Sequence, residues 1–329
     1  MIWLRCRLGQ EIGWGHAVRC LALAGAMVRA GSDAGLILDR GEAALAARAA
    51  SEGLRHVEID PGAPLSAEAG RYPEGSVALD LSNAVLRDAI PGLVAALKAQ
   101  RRKVAVIEGL GEDRYFGDAS PDLVVAPYLG ALQSAAATGG VRLAGGEYAV
   151  LGSEYAAPPA DLESRSKILV MMSGADPWQL TETVLAAASA FGPRLIVVIG
   201  GSVPPNRADA IAAEAARIGA RVEIAPPTLH PLFRQSRAAL IGPGLVKYEA
   251  VATRTPAVIL SPGKEYDGAQ SAFVKAGLAT LLRADQPDLP AALATALNDA
   301  LAQMPDWPAV IDGCGAGRLA QAFRQHLGE

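Results

Sequence analysis

The sequence predicts an α/β protein made of two Rossmann-like domains, each built on a parallel sheet. Short β-rich runs alternate with helical patterns along the chain, which is the order typical of a doubly wound sheet. The length of 329 residues corresponds to about two domains of ordinary size. A proline-containing break at residues 155–159 separates the halves, so the predicted domains are residues 1–155 and 156–329. The last helix is a candidate for packing back on the first domain.

The first half begins with strand patterns and helical patterns in strict alternation. Val18, Leu21 and Val28 share the apolar side of its first helix, which follows Gly15 and stops at Gly31. The other predicted helices lie at 42–51 and 86–100, a glycine-rich stretch at 139–151 closes the half, and the predicted strands lie at 1–8, 34–38, 55–59, 77–81, 104–107 and 123–126.

The second half repeats the architecture without repeating the sequence. Its predicted strands lie at 168–172, 195–199, 222–224, 238–241, 256–260 and 279–282. Its predicted helices lie at 180–191, 211–218, 229–236, 246–253, 269–276, 291–301 and 318–327. Two such halves joined by a linker are expected to face each other across a cleft at the carboxyl edges of their sheets.

Composition excludes several classes of protein. Hydrophobic residues make up 51%, charged residues 19% and the net charge is −4, so a nucleic-acid partner is not expected. Cys6, Cys20 and Cys314 are far apart, which predicts a reducing compartment and a packing role for the first two. No histidine or cysteine cluster indicates a metal site. The chain starts directly with a strand pattern and has no apolar run of about 18 residues, so a cytoplasmic location without membrane insertion is expected.

One stretch near the N-terminus combines a strand, a glycine turn and a helix. Gly13 and Gly15 allow a sharp bend and close approach of a ligand, and His16 lies where free helix N–H groups favour an anion. Val18 stands where a dinucleotide fingerprint needs its third glycine, and no Walker A loop occurs. A histidine that only caps the helix is the alternative interpretation, and it stays open at this point.

A family resemblance rests on this stretch. It resembles the signature of the UDP-2,4-diacetamido-2,4,6-trideoxy-beta-L-altropyranose hydrolases, which are relatives of the peptidoglycan N-acetylglucosaminyltransferase. The resemblance implies a GT-B fold, a catalytic role for His16, and substrate binding by Gly13, Gly15 and Arg19. The matching residues are Ile12, Gly13, Gly15, His16, Arg19, Leu21, Leu23 and Ala24.

The second half offers the candidate nucleotide site. Glycine turns at Gly174 and at Gly242 and Gly244 provide clustered N–H donors that suit a diphosphate. The segment from Gly242 through Leu245 to Glu249 resembles the family's UDP-binding segment, which implies that Glu249 binds the ribose hydroxyls. A carboxylate can accept two hydrogen bonds from a vicinal diol, although a solvated helix glutamate is the alternative. The resemblance extends over residues 1 to about 280.

Three departures from the family pattern fall on the sugar side. Arg7 replaces an expected aspartate, and it either binds a phosphate or carboxylate or is a surface arginine. Asp80 ends its strand, where such sheets place ligand groups, but the histidine and tyrosine that follow it in the family are absent. Residues 264–266 read Lys-Glu-Tyr in place of the family's Glu-Asn-Gln. The acidic run 108–113 either lines the sugar pocket or is a solvated loop.

The function that these observations predict is hydrolysis of a UDP-linked (di)acetamido-deoxy sugar, in nonulosonic acid biosynthesis of the pseudaminic type or in surface-glycan biosynthesis such as flagellin glycosylation. His16 would activate water as a general base, because a histidine is partly neutral at pH 7. No metal or cofactor is expected. Two alternatives remain, a GT-B glycosyltransferase and a non-catalytic nucleotide-sugar binding protein, and the oligomeric state is left open.

Overall fold

The structure is a computed structural model that describes residues 1–8, 14–83, 85–108, 120–131, 141–307 and 310–328. The chain divides into two compact units. Unit 1 comprises Met1–Ser153 together with Gly313–Glu329, and unit 2 comprises Glu154–Asp312. Each unit contains its own parallel sheet with helices packed against it, so the predicted fold class is confirmed.

The described strands of unit 1 form a parallel sheet in the order β3-β2-β1-β4-β5-β6-β7. These strands are β1 (Ile2–Cys6), β2 (Ala34–Asp39), β3 (Arg55–Ile59), β4 (Ser76–Asp80), β5 (Val104–Ile107), β6 (Leu123–Ala126) and β7 (Val141–Ala144). The helices are α1 (Gly15–Arg29), α2 (Ala43–Ser51) and α3 (Ile90–Ala99), and the last helix of the chain, α10 (Gly315–Leu327), also belongs to this unit.

Residues of β1 alternate between the two faces of the sheet, as the two-residue period of a strand requires. Leu4 and Cys6 join the core beneath α1 and α10, whereas Trp3 joins the core beneath α3. Cys6 and Cys20 are both buried and free. Arg5 lies on the Trp3 face and is fully buried, which is unusual for a charged residue.

The buried face of α1 agrees with the prediction at Leu21, which is buried, but not at Val28, which is 44% exposed. Ala17, Cys20, Ala24 and Met27 are buried as well. These four residues follow the three- and four-residue spacing of one helical face, and Val28 lies about 100° further around the helix than Met27. The predicted stop is confirmed, since Gly31 follows the helix with a φ of 79°.

Helix α10 completes the core of unit 1. Leu319 and Phe323 are fully buried in the same cluster as the residues of α1. The Ser76 hydroxyl at the start of β4 donates to the carbonyl oxygen of Leu327 at 2.6 Å. The C-terminal residues are therefore part of the first unit's packing.

The described strands of unit 2 form a second parallel sheet in the order β10-β9-β8-β11-β12-β13. These strands are β8 (Lys167–Met171), β9 (Leu195–Ile199), β10 (Arg221–Ile224), β11 (Ser236–Ile241), β12 (Ala257–Ser261) and β13 (Ala279–Arg283). The helices are α4 (Leu180–Ala187), α5 (Pro205–Arg217), α6 (His230–Phe233), α7 (Val246–Ala252), α8 (Ser271–Lys275) and α9 (Leu289–Ala302).

The strand order creates one topological switch point in each sheet. In unit 1 the chain runs outward from β1 through β2 and β3 and then returns to place β4 on the other side of β1. In unit 2 it runs outward from β8 and returns with β11. Ligands of open α/β sheets bind beyond the carboxyl ends of the strands at such points, so the loops after β1, β4, β8 and β11 are the candidate positions for ligand-binding residues.

Candidate functional site

The switch point of unit 1 brings together the residues that the sequence singles out near the N-terminus. Strands β1 and β4 pair in parallel, and Cys6 lies opposite Asp80 at their carboxyl ends. His16 lies in the first turn of α1, the helix that follows β1. Gly15 is the first residue of that helix, whereas Gly13 lies outside the described residues.

His16, Arg19 and Asp80 form one hydrogen-bonded cluster. His16 Nδ1 lies 2.6 Å from Asp80 Oδ1, and Arg19 Nε donates to Asp80 Oδ2 at 2.7 Å. Arg19 Nη1 donates to the Tyr128 hydroxyl at 2.6 Å. His16 and Arg19 are three residues apart on α1 and therefore project from the same side of the helix. The helix thus presents both side chains to one carboxylate.

The tautomer of His16 follows from these contacts. Arg19 Nη2 also lies 3.3 Å from His16 Nδ1, but the contact of Nδ1 with Asp80 is much shorter. An ionised carboxylate can only accept hydrogen bonds, so Nδ1 carries the hydrogen and donates it to Asp80. In the neutral imidazole Nε2 is then the atom with the free lone pair. This is the arrangement that a histidine needs to act as a general base.

Burial and neighbouring charges shift the pKa values of Asp80 and Arg19 in opposite directions. Burial by itself would raise the pKa of Asp80, but the adjacent Arg19 and His16 hold that pKa well below its usual range. Burial would likewise lower the pKa of Arg19, and Asp80 together with Tyr128 raises it instead. Burial raises the pKa of Tyr128. Asp80 is therefore ionised and Arg19 charged at neutral pH.

The structure changes the interpretation of two predicted substrate-binding residues. Asp80 is 1% exposed and Arg19 is 4% exposed. Their hydrogen bonds described above join them to each other, to His16 and to Tyr128. The side chain of His16 is 15% exposed. Asp80 and Arg19 therefore lie beneath His16 and hold it, and substrate contact by either side chain remains a prediction. Tyr128 was missed by the sequence analysis, and its position just after the end of β6 is the signal that could have found it.

Neither interpretation of Arg7 matches its surroundings. Arg7 Nη2 bonds Glu68, and Arg7 Nε lies 3.3 Å from Asp39 Oδ2. Glu68 also accepts from Arg5 Nε at 3.0 Å and from the Tyr72 hydroxyl at 2.9 Å. Arg7 is thus neither a free surface arginine nor an uncommitted ligand donor, because a buried network of opposite charges engages it.

Glu108 is the described part of the acidic run at 108–113. It follows the end of β5, is fully buried, and forms an ion pair with Arg142 in which Arg142 Nη2 lies 3.0 Å from Glu108 Oε2. The rest of that run lies outside the described residues. At this position the solvated-loop interpretation is wrong.

The glycine turn after β11 is the candidate phosphate-binding turn of unit 2. A Cβ atom on Gly242 would lie 1.8 Å from the Met172 carbonyl oxygen, so only glycine fits there. Gly244 has no atom within 4 Å of the position of a Cβ and is exposed. Leu245 is the N-cap residue of α7 and makes no side-chain capping hydrogen bond. The Gly242 N–H already donates to the Met171 carbonyl at 3.0 Å, so the N–H groups of Gly244 and Leu245 are the candidates for binding a ligand.

The turn at Gly174 lies several residues before helix α4, which begins at the predicted Leu180. The Asp176 carboxylate accepts from the N–H groups of Leu180 and Thr181 at 2.9 and 3.0 Å. The Gly174 carbonyl accepts from the Ser202 N–H at 2.9 Å. The start of α4 is thus capped by the protein itself, and ligand binding at Gly174 remains a prediction.

Glu249 lies in the first turn of α7 and is half-buried. Burial raises its pKa to about 7, the Tyr155 hydroxyl opposes that rise, and the negative charge of Glu154 adds to it. Tyr155 is buried and packs edge-to-face against His230, with ring centroids 5.2 Å apart. Glu249 therefore has a carboxylate whose charge changes near neutral pH, and Tyr155 is a neighbour that the sequence analysis missed.

Two further observations concern the described residues as a set. Within the described ranges, no three His, Cys, Asp or Glu side chains are grouped as a metal ion would require. No helix in that part of the chain has the length and apolar character needed to cross a membrane.

Comparison with known proteins gives a fold relationship. No protein-family model matches the chain, and no curated protein matches it either. Among solved structures, MurG of Acinetobacter baumannii is similar, with a TM-score of 0.64, 13% identity, and coverage of 98% of this chain and 99% of that chain. The UDP-GlcNAc 2-epimerase of Neisseria meningitidis, bound to UDP-GlcNAc, has a TM-score of 0.60, 13% identity, and coverage of 99% and 100%.

A third similar structure is Alr3699/HepE of Anabaena in complex with UDP and glucose. It has a TM-score of 0.56, 14% identity, and coverage of 99% of this chain and 95% of that chain. At such low identities a likeness shows the fold alone. The chain therefore has the GT-B fold of these UDP-sugar enzymes.

Proposed function

We propose that this protein is a UDP-sugar hydrolase in which His16 activates water. The observation that carries the proposal is the hydrogen bond of 2.6 Å between His16 Nδ1 and the buried Asp80 carboxylate. It fixes the tautomer with a basic Nε2, at the switch point where ligands of this fold class bind. A histidine that only capped its helix would not need an ionised carboxylate and an arginine beneath it.

The reaction is a displacement at the anomeric carbon of the sugar. His16 Nε2 takes a proton from water as the water oxygen forms a bond to that carbon, and the bond from the carbon to the UDP oxygen breaks. UDP leaves with the bonding electron pair, and Asp80 stabilises the imidazolium that forms. The products are a free sugar and UDP, and the proton on His16 passes to solvent before the next cycle.

Unit 2 supplies the nucleotide contacts in this proposal. In the turn that begins at Gly242, Gly244 and Leu245 offer their N–H groups to the diphosphate, where they stabilise the charge that develops on departing UDP. The Glu249 carboxylate accepts hydrogen bonds from the ribose hydroxyls. Two similar structures were solved with UDP or UDP-GlcNAc bound, which supports this choice of ligand.

The finer identity of the substrate rests on the N-terminal signature. Its resemblance to the UDP-2,4-diacetamido-2,4,6-trideoxy-beta-L-altropyranose hydrolases supports an acetamido-deoxy sugar of the pseudaminic type. The changed residues at 7, 81–82 and 264–266 favour a sugar that differs from that of the family.

A glycosyltransferase is the second candidate function. The same base could remove a proton from an acceptor hydroxyl, and the similarity to MurG motivates this alternative. A protein that binds UDP-sugars without turnover is the third, but the tautomer-fixing cluster around His16 argues against it.

The deciding experiment measures UDP release from a panel of UDP-acetamido sugars, without any acceptor, in water enriched in ¹⁸O. A hydrolase of the proposed mechanism releases UDP that carries no heavy oxygen, because water attacks the anomeric carbon and the bond from that carbon to the UDP oxygen breaks. Release that needs an added acceptor would replace the hydrolase with a transferase. UDP binding without release under either condition would select the binding protein.

Glu249 allows a test of ribose recognition through pH. Because its pKa is raised to about 7, the carboxylate gains its charge as the pH rises from 6 to 8. We expect the preference for UDP over 2′-deoxy-UDP to increase over that range, measured as the ratio of their Kd values. Both nucleotides carry the same diphosphate, so the titration of the phosphates cancels in this ratio. In Glu249→Gln the ratio should not change with pH. A native ratio that is flat would contradict the ribose role.

A further inference from the structure

We propose that Trp178 and Tyr266 form an aromatic surface that binds the apolar face and acetamido methyl group of an N-acetylated sugar linked to UDP. This inference rests on the proposed nucleotide site, and it assigns sugar recognition to two residues outside the catalytic cluster.

The two side chains are an unusual feature of the surface. Trp178 is 43% exposed and Tyr266 is 36% exposed, and they are the large aromatic side chains that the described surface leaves open. Their rings nevertheless touch, with centroids 5.0 Å apart and planes at 64°. Exposed aromatic rings that come from distant parts of a chain and meet are typical of a ligand surface.

The pair lies on loops that flank the phosphate-binding turn. Trp178 lies between β8 and α4, and Tyr266 lies in the 3₁₀ segment Lys264–Gln270 after β12. Strand β11, which leads into the Gly242 turn, pairs with β8 on one side and with β12 on the other. All three loops therefore leave the same carboxyl edge from neighbouring strands.

Direct contacts join the turn to both loops. Gly242 N–H donates to the Met171 carbonyl at 3.0 Å on the side that leads to Trp178. On the other side the buried Lys247 Nζ donates to the Pro243 carbonyl at 2.9 Å and to Gln270 Oε1 at 2.7 Å. Lys247 therefore holds the Tyr266 segment against the turn.

Both aromatic loops are also held by ion pairs. Arg207 Nη2 donates to the carboxylate of Asp176, two residues before Trp178, at 2.7 Å. Arg283 Nε donates to Asp267 Oδ2 at 2.7 Å next to Tyr266. A surface held in this way loses little conformational freedom when a ligand covers it.

The order of the groups along a UDP-sugar indicates that the sugar is the part that reaches the aromatic pair. Glu249 lies one turn inside α7 and the phosphate-binding turn precedes that helix, so the ligand runs outward from ribose to diphosphate. The group beyond the diphosphate is the sugar, and the loops on both sides of the turn carry the aromatic pair. The C–H face of a pyranose and an acetamido methyl group are the apolar parts that an aromatic surface can cover.

The test compares Kd values for UDP and UDP-GlcNAc by calorimetry on the full chain. The variants are Trp178→Ala and Tyr266→Ala, with Tyr266→Phe as the ring-preserving control. Val274→Ala, an exposed aliphatic change on α8, is the control outside the pair. We expect the two alanine variants to bind UDP-GlcNAc about 10-fold more weakly, with UDP affinity unchanged and both controls like the native protein.

Tryptophan fluorescence provides a second readout. UDP-GlcNAc should change the emission more than UDP does, and this difference should disappear in Trp178→Phe. Equal weakening of UDP and UDP-GlcNAc in the alanine variants would overturn the inference, because the pair would then serve the nucleotide. Unchanged affinities, or a native protein that binds UDP-GlcNAc no more tightly than UDP, would also overturn it. Binding that follows the expected pattern, with no UDP release from any sugar of the panel, would refute the hydrolase and leave this surface supported.

Discussion

Replacement of His16 by alanine is expected to lower the rate of UDP release by about 10²- to 10⁴-fold, the usual contribution of a general base. The variant loses His16 Nε2, the proposed base. Among the described residues of the cluster around Asp80, His16 is the one that combines a basic nitrogen with partial exposure. Binding of UDP should be unchanged, since the proposed nucleotide contacts belong to unit 2. The measurement is UDP release under single-turnover conditions, together with the Kd for UDP.

His56→Ala is a matched control for this variant. His56 lies on β3 in the same unit, is half-buried, and is absent from the cluster around Asp80. It should keep the native rate. A His16→Ala protein that releases UDP at the native rate would show that the base is another group and would remove the observation on which the hydrolase proposal rests.

Asp80→Asn is expected to cause the largest loss of stability among these variants, on the order of 3–5 kcal/mol in the free energy of unfolding. The amide keeps the size of the side chain but leaves the charge of Arg19 buried without its anion. It also replaces one of the two acceptor oxygens by an NH₂ donor, so the His16 tautomer is no longer fixed and the rate of UDP release should fall as well. Urea unfolding followed by circular dichroism measures the first effect, and the release assay measures the second.

The stabilising contribution of Asp80 is expected to decrease at acid pH. The pKa of Asp80 in the folded protein lies below its usual value, so the unfolded chain takes up the proton first as the pH falls. The contribution of Asp80 is therefore complete above about pH 4 and is lost progressively below it. The difference in stability between the native protein and Asp80→Asn should narrow in that acid range.

An exposed aspartate serves as the comparison for Asp80. Asp60 pairs with Arg40 at 2.7 Å, but both side chains are more than 60% exposed. Asp60→Asn should change the unfolding curve very little, because solvent screens such pairs. If Asp80→Asn unfolded like Asp60→Asn, the predicted stabilisation by the buried cluster would be wrong, and if it also released UDP at the native rate, its role in orienting His16 would be refuted.

Local sequence signals predicted the elements around the site well. Apolar runs located β1, β4 and β11, and Gly31 marked the end of α1, because strand periodicity and the conformational freedom of glycine are properties of short segments. Strand β7 was described only as part of a glycine-rich stretch. It is an edge strand with an exposed first residue and lacks the apolar run of a buried strand.

Sequence reasoning reached His16, Arg19 and Asp80 as separate candidates, but it did not join them. Asp80 is 64 residues from His16, and only the parallel pairing of β1 with β4 brings their strand ends together. The same holds for Arg7, whose partner Glu68 is 61 residues away. Long-range pairs of this kind depend on strand order, which local patterns do not encode.

The sequence by itself determined the class of fold and the turns where a ligand can bind, because hydrophobic period and glycine placement act over a few residues. Only the tertiary structure decided which polar groups are committed to one another. It made Asp80 and Arg19 the support of His16, capped the start of α4 with Asp176, and brought Trp178 into contact with Tyr266. The physical reason is that burial and hydrogen-bond partners are set by packing between distant segments, and these decide which groups remain free for chemistry.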